Sequence, residues 1–187
     1  IDGEAQDFVP YAFGFKDGFN AVIQANTDYM DLTPMIAKSF TGAPSKVTKT
    51  DVKDAMKGSF MFDIGIFSKK LSIRFLNATD AAVQMSYANK TLEIKNLTMK
   101  TCNGTLSASG SLKNFTTIQA RVGIKSMDVK TMFEQFEDFG QKTITSEKLM
   151  GSISVNADIK ATLNEKFQLK SPALNGQVQL KLKDGHL

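Results

Sequence analysis

Cysteine and histidine are almost absent from this 187-residue chain: Cys102 and His186 are the only ones. A single cysteine cannot close an intrachain disulfide, and a single histidine cannot build a His-rich metal site. Proline is scarce, with 4 residues beside 13 glycines, so collagen-like, low-complexity and disordered compositions drop out. Tryptophan is missing, and Phe outnumbers Tyr by 14 to 3. The aromatic content is therefore apolar bulk, not the amphipathic rings that usually build polar binding sites. Arg74 and Arg121 are the only arginines, and a net charge of +4 falls short of a nucleic-acid footprint. No apolar run approaches the roughly 20 residues that span a bilayer. The first residue is Ile1 and not Met, which points to a fragment or processed product whose membrane anchor, if any, lies elsewhere.

What the chain has in quantity is alternation. With 42% hydrophobic and 22% charged residues, it can bury a sizeable core in one large domain or two small ones. In Ser59–Ile66 the even positions Phe60, Phe62, Ile64 and Ile66 are large and apolar. The same period of two runs through Leu71–Phe75, Leu92–Lys95, Leu97–Lys100, Ile118–Lys125, Ile153–Lys160, Phe167–Lys170 and Val178–Lys183. Each such segment reads as a strand with one apolar and one wet face, and clean alternation favours an antiparallel sheet. Asn89-Lys90, Asn103-Gly104, Asn164-Glu165 and Asn175-Gly176 supply turn chemistry between strands.

Three segments read as helices. Val129, Met132, Phe133, Phe136 and Phe139 recur at helical spacing, which predicts a helix over Asp128–Phe139 with Asp128 as N-cap. Asp31–Phe40 shows the pattern more weakly, with Pro34 in its first turn, and Thr50–Met56 is fainter still.

An internal repeat links these pieces. Phe13–Phe19 resembles Ser109–Phe115 at an offset of 96, and Met30-Asp31-Leu32 matches Met127-Asp128-Val129 at an offset of 97. Lys57-Gly58-Ser59 matches Met150-Gly151-Ser152 at 93, and Val83-Gln84-Met85 matches Val178-Gln179-Leu180 at 95. Four matches in the same order predict two tandem units of about 95 residues, 1–100 and 101–187, the second truncated. The fold expected is mostly β with a few short helices (α+β), a curved antiparallel sheet built from these two copies. Asp31 and Asp128 are the expected equivalent helix starts, Gly58 and Gly151 the equivalent strand starts.

Chemistry is sparse. A Ser–His–Asp site would have to use His186, which reads instead as a turn residue facing solvent. Cys102 has no second cysteine or nearby histidine, so a buried or incidental thiol is expected. Glu134, Glu137 and Asp138 read as the wet side of a helix. Gly104–Gly110 has glycines but neither a following helix nor the lysine of a phosphate loop. No enzyme, metal or cofactor is expected. Lys95, Lys100, Lys160, Lys170, Lys181 and Lys183 fall on the polar side of strands, where they protect edges or attract anionic headgroups weakly. Asn77, Asn89, Asn96, Asn103 and Asn114 each open an Asn-x-Thr triplet; without disulfides these read as strand-and-turn composition, not as glycan acceptors.

The candidate functional surface is the apolar face itself. Phe60, Phe62, Ile64, Ile66, Ile73, Phe75, Val83 and Met85 are expected to line it in the first copy. Ile153, Val155, Ala157, Ile159, Phe167, Leu169, Val178 and Leu180 are their counterparts in the second. Two helices of about ten residues each span only roughly 15 Å. Either they close this face into an ordinary core or part of it stays open as an acyl-chain groove, each buried methylene contributing about 0.8 kcal/mol.

The order of motifs from Lys57 to Leu187 resembles the C-terminal region of AsmA-like proteins of the bacterial cell envelope. The residues that carry it are Ala78–Met85 leading into Leu92–Leu97, then Ser109-Gly110-Ser111-Leu112-Lys113-Asn114-Phe115, Asp128 opening a helix, Gly151–Val155, and Leu174–Val178 with Asp184-Gly185-His186-Leu187. The resemblance implies a periplasmic, inner-membrane-anchored protein of outer-membrane biogenesis, akin to bridge-type lipid-transfer proteins. Its implied partners are phospholipid or another acyl lipid and other envelope proteins, with no nucleic acid and no catalytic residues. The alternative reading is a structural β-scaffold or protein-interaction segment of a larger periplasmic protein.

Overall fold

The computed structural model describes residues 2–6, 17–33, 59–164 and 175–186, and they form one sheet. Its strands are β1 (Asp2–Gln6), β2 (Asn20–Asp31), β3 (Met61–Ile73), β4 (Leu76–Ala88), β5 (Thr91–Thr101), β6 (Gly104–Lys113), β7 (Thr117–Asp128), β8 (Met150–Thr162) and β9 (Asn175–His186). They lie side by side in sequence order. Between β7 and β8 comes one α-helix, α1 (Val129–Gln135), followed by two short 3₁₀ turns at Glu137–Gly140 and Ser146–Lys148. The protein is mostly β, a single open nine-stranded sheet.

Every neighbouring pair is antiparallel except β2 and β3, which run parallel. The parallel step departs from the all-antiparallel expectation. A parallel pair needs a connection of about a dozen residues or more, and the chain between Asp31 and Met61 has that length. The parallel step has no counterpart later in the chain among the described residues. β2 and β7 have 12 residues each and end on Asp31 and Asp128, and β3 and β8 have 13 each. Yet β8 pairs antiparallel with β7 where β3 runs parallel to β2, so the pairing does not repeat as two tandem copies require, and similar strand lengths alone do not establish the repeat.

Tight turns hold the meander together. Asn89-Lys90 and Cys102-Asn103 adopt left-handed φ at both residues, as do Asn114-Phe115. Asn tolerates this region better than most side chains, which accounts for Asn89, Asn103 and Asn114 without invoking glycans. The turn expected at Asn103-Gly104 is shifted by one residue, because Gly104 already pairs with Thr101. A Cβ on Gly104 would stand 2.6 Å from Met127 Cα, so glycine is required there by the close approach of β7.

Several strands are longer than the alternation suggested, because the apolar phase slips within them. In β3 it passes from the even residues Phe62, Ile64 and Ile66 to Leu71 and Ile73 across Ser68–Lys70. Ser68 is 1% exposed, and its hydroxyl donates to the Lys70 carbonyl at 2.7 Å. On β2, the Thr27 hydroxyl donates to the Tyr29 carbonyl at 2.8 Å, and Asp28 pairs with Lys69 at 2.7 Å. Asp80 on β4 takes a φ of 50°, where the β4–β5 register shifts between Thr79 and Ala82. A second slip separates Ile94 from Leu97 on β5. Such bulges preserve pairing while re-aiming side chains.

The helix begins where the sequence placed it: Asp128 Oδ1 accepts the Thr131 N–H at 2.7 Å. It ends at Gln135, short of the expected Phe139, because Glu137, Asp138 and Phe139 all adopt left-handed φ between 51° and 53°. Of the weaker Asp31–Phe40 helix, Asp31 is the last residue of β2, and residues 34–40 lie outside the described residues, as does Thr50–Met56.

Two buried clusters sit at opposite ends of the sheet. Leu71, Ala78, Ala81 and Met99 form one, flanked by Met30, Ile73, Leu76 and Leu97. Phe60, Tyr87 and Phe115 form the other, with Phe19 and Phe62 edge-to-face at 5.5 Å. Phe60→Ala is expected to lower stability by about 3 kcal/mol, as for a buried aromatic truncation. Asp128→Ala, which removes only a cap, should lower it by about 1 kcal/mol. Chemical denaturation of the two variants checks the order; equal losses would mean that the aromatic end is not part of the folding unit.

Candidate functional site

Directly paired residues on adjacent strands point to the same side of a sheet, so the register identifies the members of each face. One row runs Ile23, Ile64, Met85, Ile94, Gly110, Ala120, Ile159, Gly176 from β2 to β9. The next runs Ala25, Ile66, Val83, Leu97, Ala108, Val122, Ala157, Val178. No charged residue interrupts either row. Phe62 and Tyr87 extend the same face towards one end, and the Met127–Ile153–Leu182 row extends it towards the other.

Of the residues expected on this face, Phe62, Ile64, Ile66, Ile73, Val83, Met85, Ile153, Val155 and Ile159 lie on it, as do Ala157, Val178 and Leu180. Phe60 is buried in the aromatic cluster at its margin, stacked on Phe62 at 6.3 Å. Phe75 sits in the β3–β4 turn, its ring 4.5 Å from the Arg74 guanidinium carbon. Phe167 and Leu169 lie outside the described residues. The middle strands supply face residues missing from the expected set, among them Leu92, Ile94, Leu106, Leu112 and Val122. Their alternation was visible, but the pairing of two copies drew attention to β3, β4 and β8. Ala21, Ile23 and Ala25 of β2 were harder to find, because Val22 fills the phase between them.

Cover over this face is limited among the described residues. Nine strands spaced about 4.8 Å apart make a sheet close to 40 Å wide, whereas seven-residue α1 is about 10 Å long. On β9 the apolar row is open, with Val178 65%, Leu180 63% and Leu182 55% exposed. At the aromatic end, Phe62, Ile64, Met85, Tyr87, Leu92 and Phe115 surround a hollow of about 250 Å³. That is below the roughly 300–1,000 Å³ of pockets that enclose a whole small ligand, and it suits a segment of flexible chain. Burial also raises the Tyr87 phenol above its ordinary 10.0.

The polar face carries larger but shallower hollows. One of about 920 Å³ lies over Glu93, Lys95, Arg121, Asp158 and Lys160, and one of about 820 Å³ over Lys70, Lys100 and Lys125. Some of these charges are held in cross-strand pairs: Lys95–Asp63 at 2.9 Å, Arg121–Asp158 at 2.9 Å and Lys100–Asp80 at 2.8 Å. These are exposed pairs of the kind that contributes at most about 1 kcal/mol, and the buried Thr101 and Cys102 beside the second hollow have partners of their own.

The remaining reactive groups have structural duties. Cys102 is buried, and its thiol donates to Gln135 Oε1 at 3.2 Å. Thr101 Oγ1 donates to the Asn77 carbonyl at 2.8 Å, and Gln135 Nε2 reaches the same carbonyl at 3.2 Å. This latch fastens the end of α1 to β4 and β5. Desolvation pushes the Cys102 thiol above its ordinary 9.0, against a smaller lowering by Thr101, and Asp128 adds to the rise. Asp138 Oδ1 accepts the Ser146 N–H at 2.7 Å, and Glu134 lies 3.8 Å from Lys130. His186 is the last residue of β9, paired with Met150, and not a turn residue. No helix among the described residues is long and apolar enough to cross a membrane.

Cys102 should react with a thiol-specific disulfide reagent at pH 8 much more slowly in the folded protein than in denaturant. A thiol whose folded pKa is raised is favoured while neutral, so its contribution holds below pH 9 and is lost as pH rises through the folded value. The melting temperature should accordingly drop above pH 9 more steeply for the wild type than for Cys102→Ala. Equal labelling rates in folded and denatured protein would rule out the buried latch. No family model matches the chain, and no curated protein or solved structure is significantly similar to it.

Proposed function

We propose that this chain is a non-catalytic lipid-handling module, an AsmA-like segment of envelope biogenesis that seats acyl chains along the apolar face of its sheet. The observation that carries the reading is the unbroken pair of apolar rows from β2 to β9, wider than the one described helix can cover. An exposed apolar area of that extent is an aggregation liability unless something apolar occupies it. Acyl chains fit because they need no polar contacts, and each methylene buried contributes about 0.8 kcal/mol. The aromatic-end hollow is where a chain terminus would seat, between Phe62, Met85 and Phe115.

In this reading the polar face keeps the module soluble, and its paired lysines have no part in lipid selection. The two-unit organisation, 1–100 and 101–187, belongs to the same proposal, with a curved sheet that prolongs one groove. Periplasmic placement, an inner-membrane anchor outside this stretch and envelope-protein partners follow from the AsmA-like resemblance. The scaffold reading is favoured by one observation, the exposed β9 row, which offers a contact surface as readily as a groove margin.

A phospholipid analogue with a photoreactive group near the end of its acyl chain separates the two. Irradiation followed by peptide mapping should place adducts on β3, β4 and β5, at Phe62, Ile64, Met85 or Leu92. Met85→Asp, provided that it melts as a folded protein, should lose at least ten-fold in adduct yield. Absence of adducts, or adducts confined to the polar face, would end the lipid proposal.

A further inference from the structure

Among the described residues nothing pairs with the outer edge of β1 or of β9. The two edges differ in charge. β1 reads Asp2-Gly3-Glu4-Ala5-Gln6, and Asp2 and Glu4 pair with Gln24 and Val22, the polar-face residues of β2. β9 carries Lys181 and Lys183 opposite Ser154 and Ser152, on the polar face of β8. On the other side of β9 stand the exposed Val178, Leu180 and Leu182.

We infer that the β9 edge receives the β1 edge of a second copy of this chain, head to tail, so that one sheet continues into the next. Three independent constraints agree on this pairing. The first is direction. With β2 and β3 parallel and all other pairs antiparallel, β1 and β9 point in opposite senses, and sheets joined in one orientation therefore meet as an antiparallel pair. The second is face. The acidic side chains of β1 and the lysines of β9 project from the same, polar, side, so the apolar sides of the two copies also coincide. The third is register. Placing Glu4 opposite Lys181 puts Asp2 opposite Lys183 without further adjustment, and Gly3 and Ala5 fall opposite Leu182 and Leu180.

Alternative self-pairings are poorer. Two β9 strands centred on Lys181 would place like charges directly opposite, which is destabilising. Two β1 strands would set acid near acid. The Lys183–Asp184 contact within β9 is long, at 4.0 Å, and both side chains are largely exposed, so it is readily exchanged for Asp2 of the neighbour. A head-to-tail edge contact can repeat at every copy, growing as a filament or, where the rotation between copies closes, a ring of more than two. The inference is independent of whether lipid occupies the apolar face.

Sedimentation velocity of the 187-residue chain over a wide concentration range tests it. The wild type should show average mass rising with concentration beyond a dimer, and raised salt should weaken the association. Lys181→Glu with Lys183→Glu should give a monomer, as should Asp2→Lys with Glu4→Lys, each with an unchanged melting temperature. Mixing the two variants restores opposite charges at every junction and should restore association. A wild type that stays monomeric throughout, closes as a dimer and grows no further, or associates unchanged after either charge reversal would overturn the inference. So would variants that fail to recover on mixing.

Discussion

A one-layer sheet must divide water from oil through its own thickness, and the rest of this molecule follows from that constraint. With strands side by side in sequence order and only α1 packed at one end among the described residues, sorting depends on side-chain direction within each strand. The bulges are the means by which it is kept. Where a strand would carry its apolar residues onto the wet side, Ser68, Asp80 and the Lys95–Asn96 step slip the phase and return them. Ser68 can be almost wholly buried because the Lys70 carbonyl accepts its proton. A strictly period-two sheet with this sequence would place Leu71 among lysines.

Much of this was legible in the chain. The strands containing Phe62–Ile66, Ile118–Lys125 and Ile153–Lys160 follow from alternation, and Asp128 as a cap from its position before an apolar helical stripe. What could not be read was set by tertiary geometry. The alternation restarted at Leu71 and at Leu97, which suggested new strands, whereas each restart is a slip within one strand. β1 has five residues of low hydrophobicity and owes its existence to pairing with β2. The helix was overextended because Phe136 and Phe139 keep helical spacing while the backbone has already turned left-handed; the two rings stack at 5.3 Å instead. The repeat was textual as far as it went, but offsets in sequence carry no information about whether a strand returns parallel or antiparallel.

The candidate site shows the same division. The rows of face residues emerge from pairing alone, since the register joins Ile64 to Met85, Ile94 and on to Ile159. Phe75 illustrates the limit: its place in the alternation put it on the face, but a two-residue turn carried it off to meet Arg74. No signal of spacing distinguishes a strand's last apolar residue from the first residue of its turn. The lone thiol and the acidic side of the helix were read as unreactive, and the structure gives them work as a latch and a loop tie.

The sequential order of strands has a further consequence for how stability is distributed. Each strand touches its chain neighbours, and apart from α1 no element bridges distant parts of the described sheet. Such an arrangement resembles a one-dimensional array, in which free energy accumulates from neighbour to neighbour and local opening need not spread. The two clusters act as separate clamps, one at each end of the strands. The edge strands β1 and β9, each paired on one side only among the described residues of a single copy, are then the first parts of an isolated copy to exchange their amide protons, while the middle strands β4 to β7 are the last. A protein of this kind loses its margins before its centre, and its apparent size as a folded unit depends on how many strands are closed at a given moment.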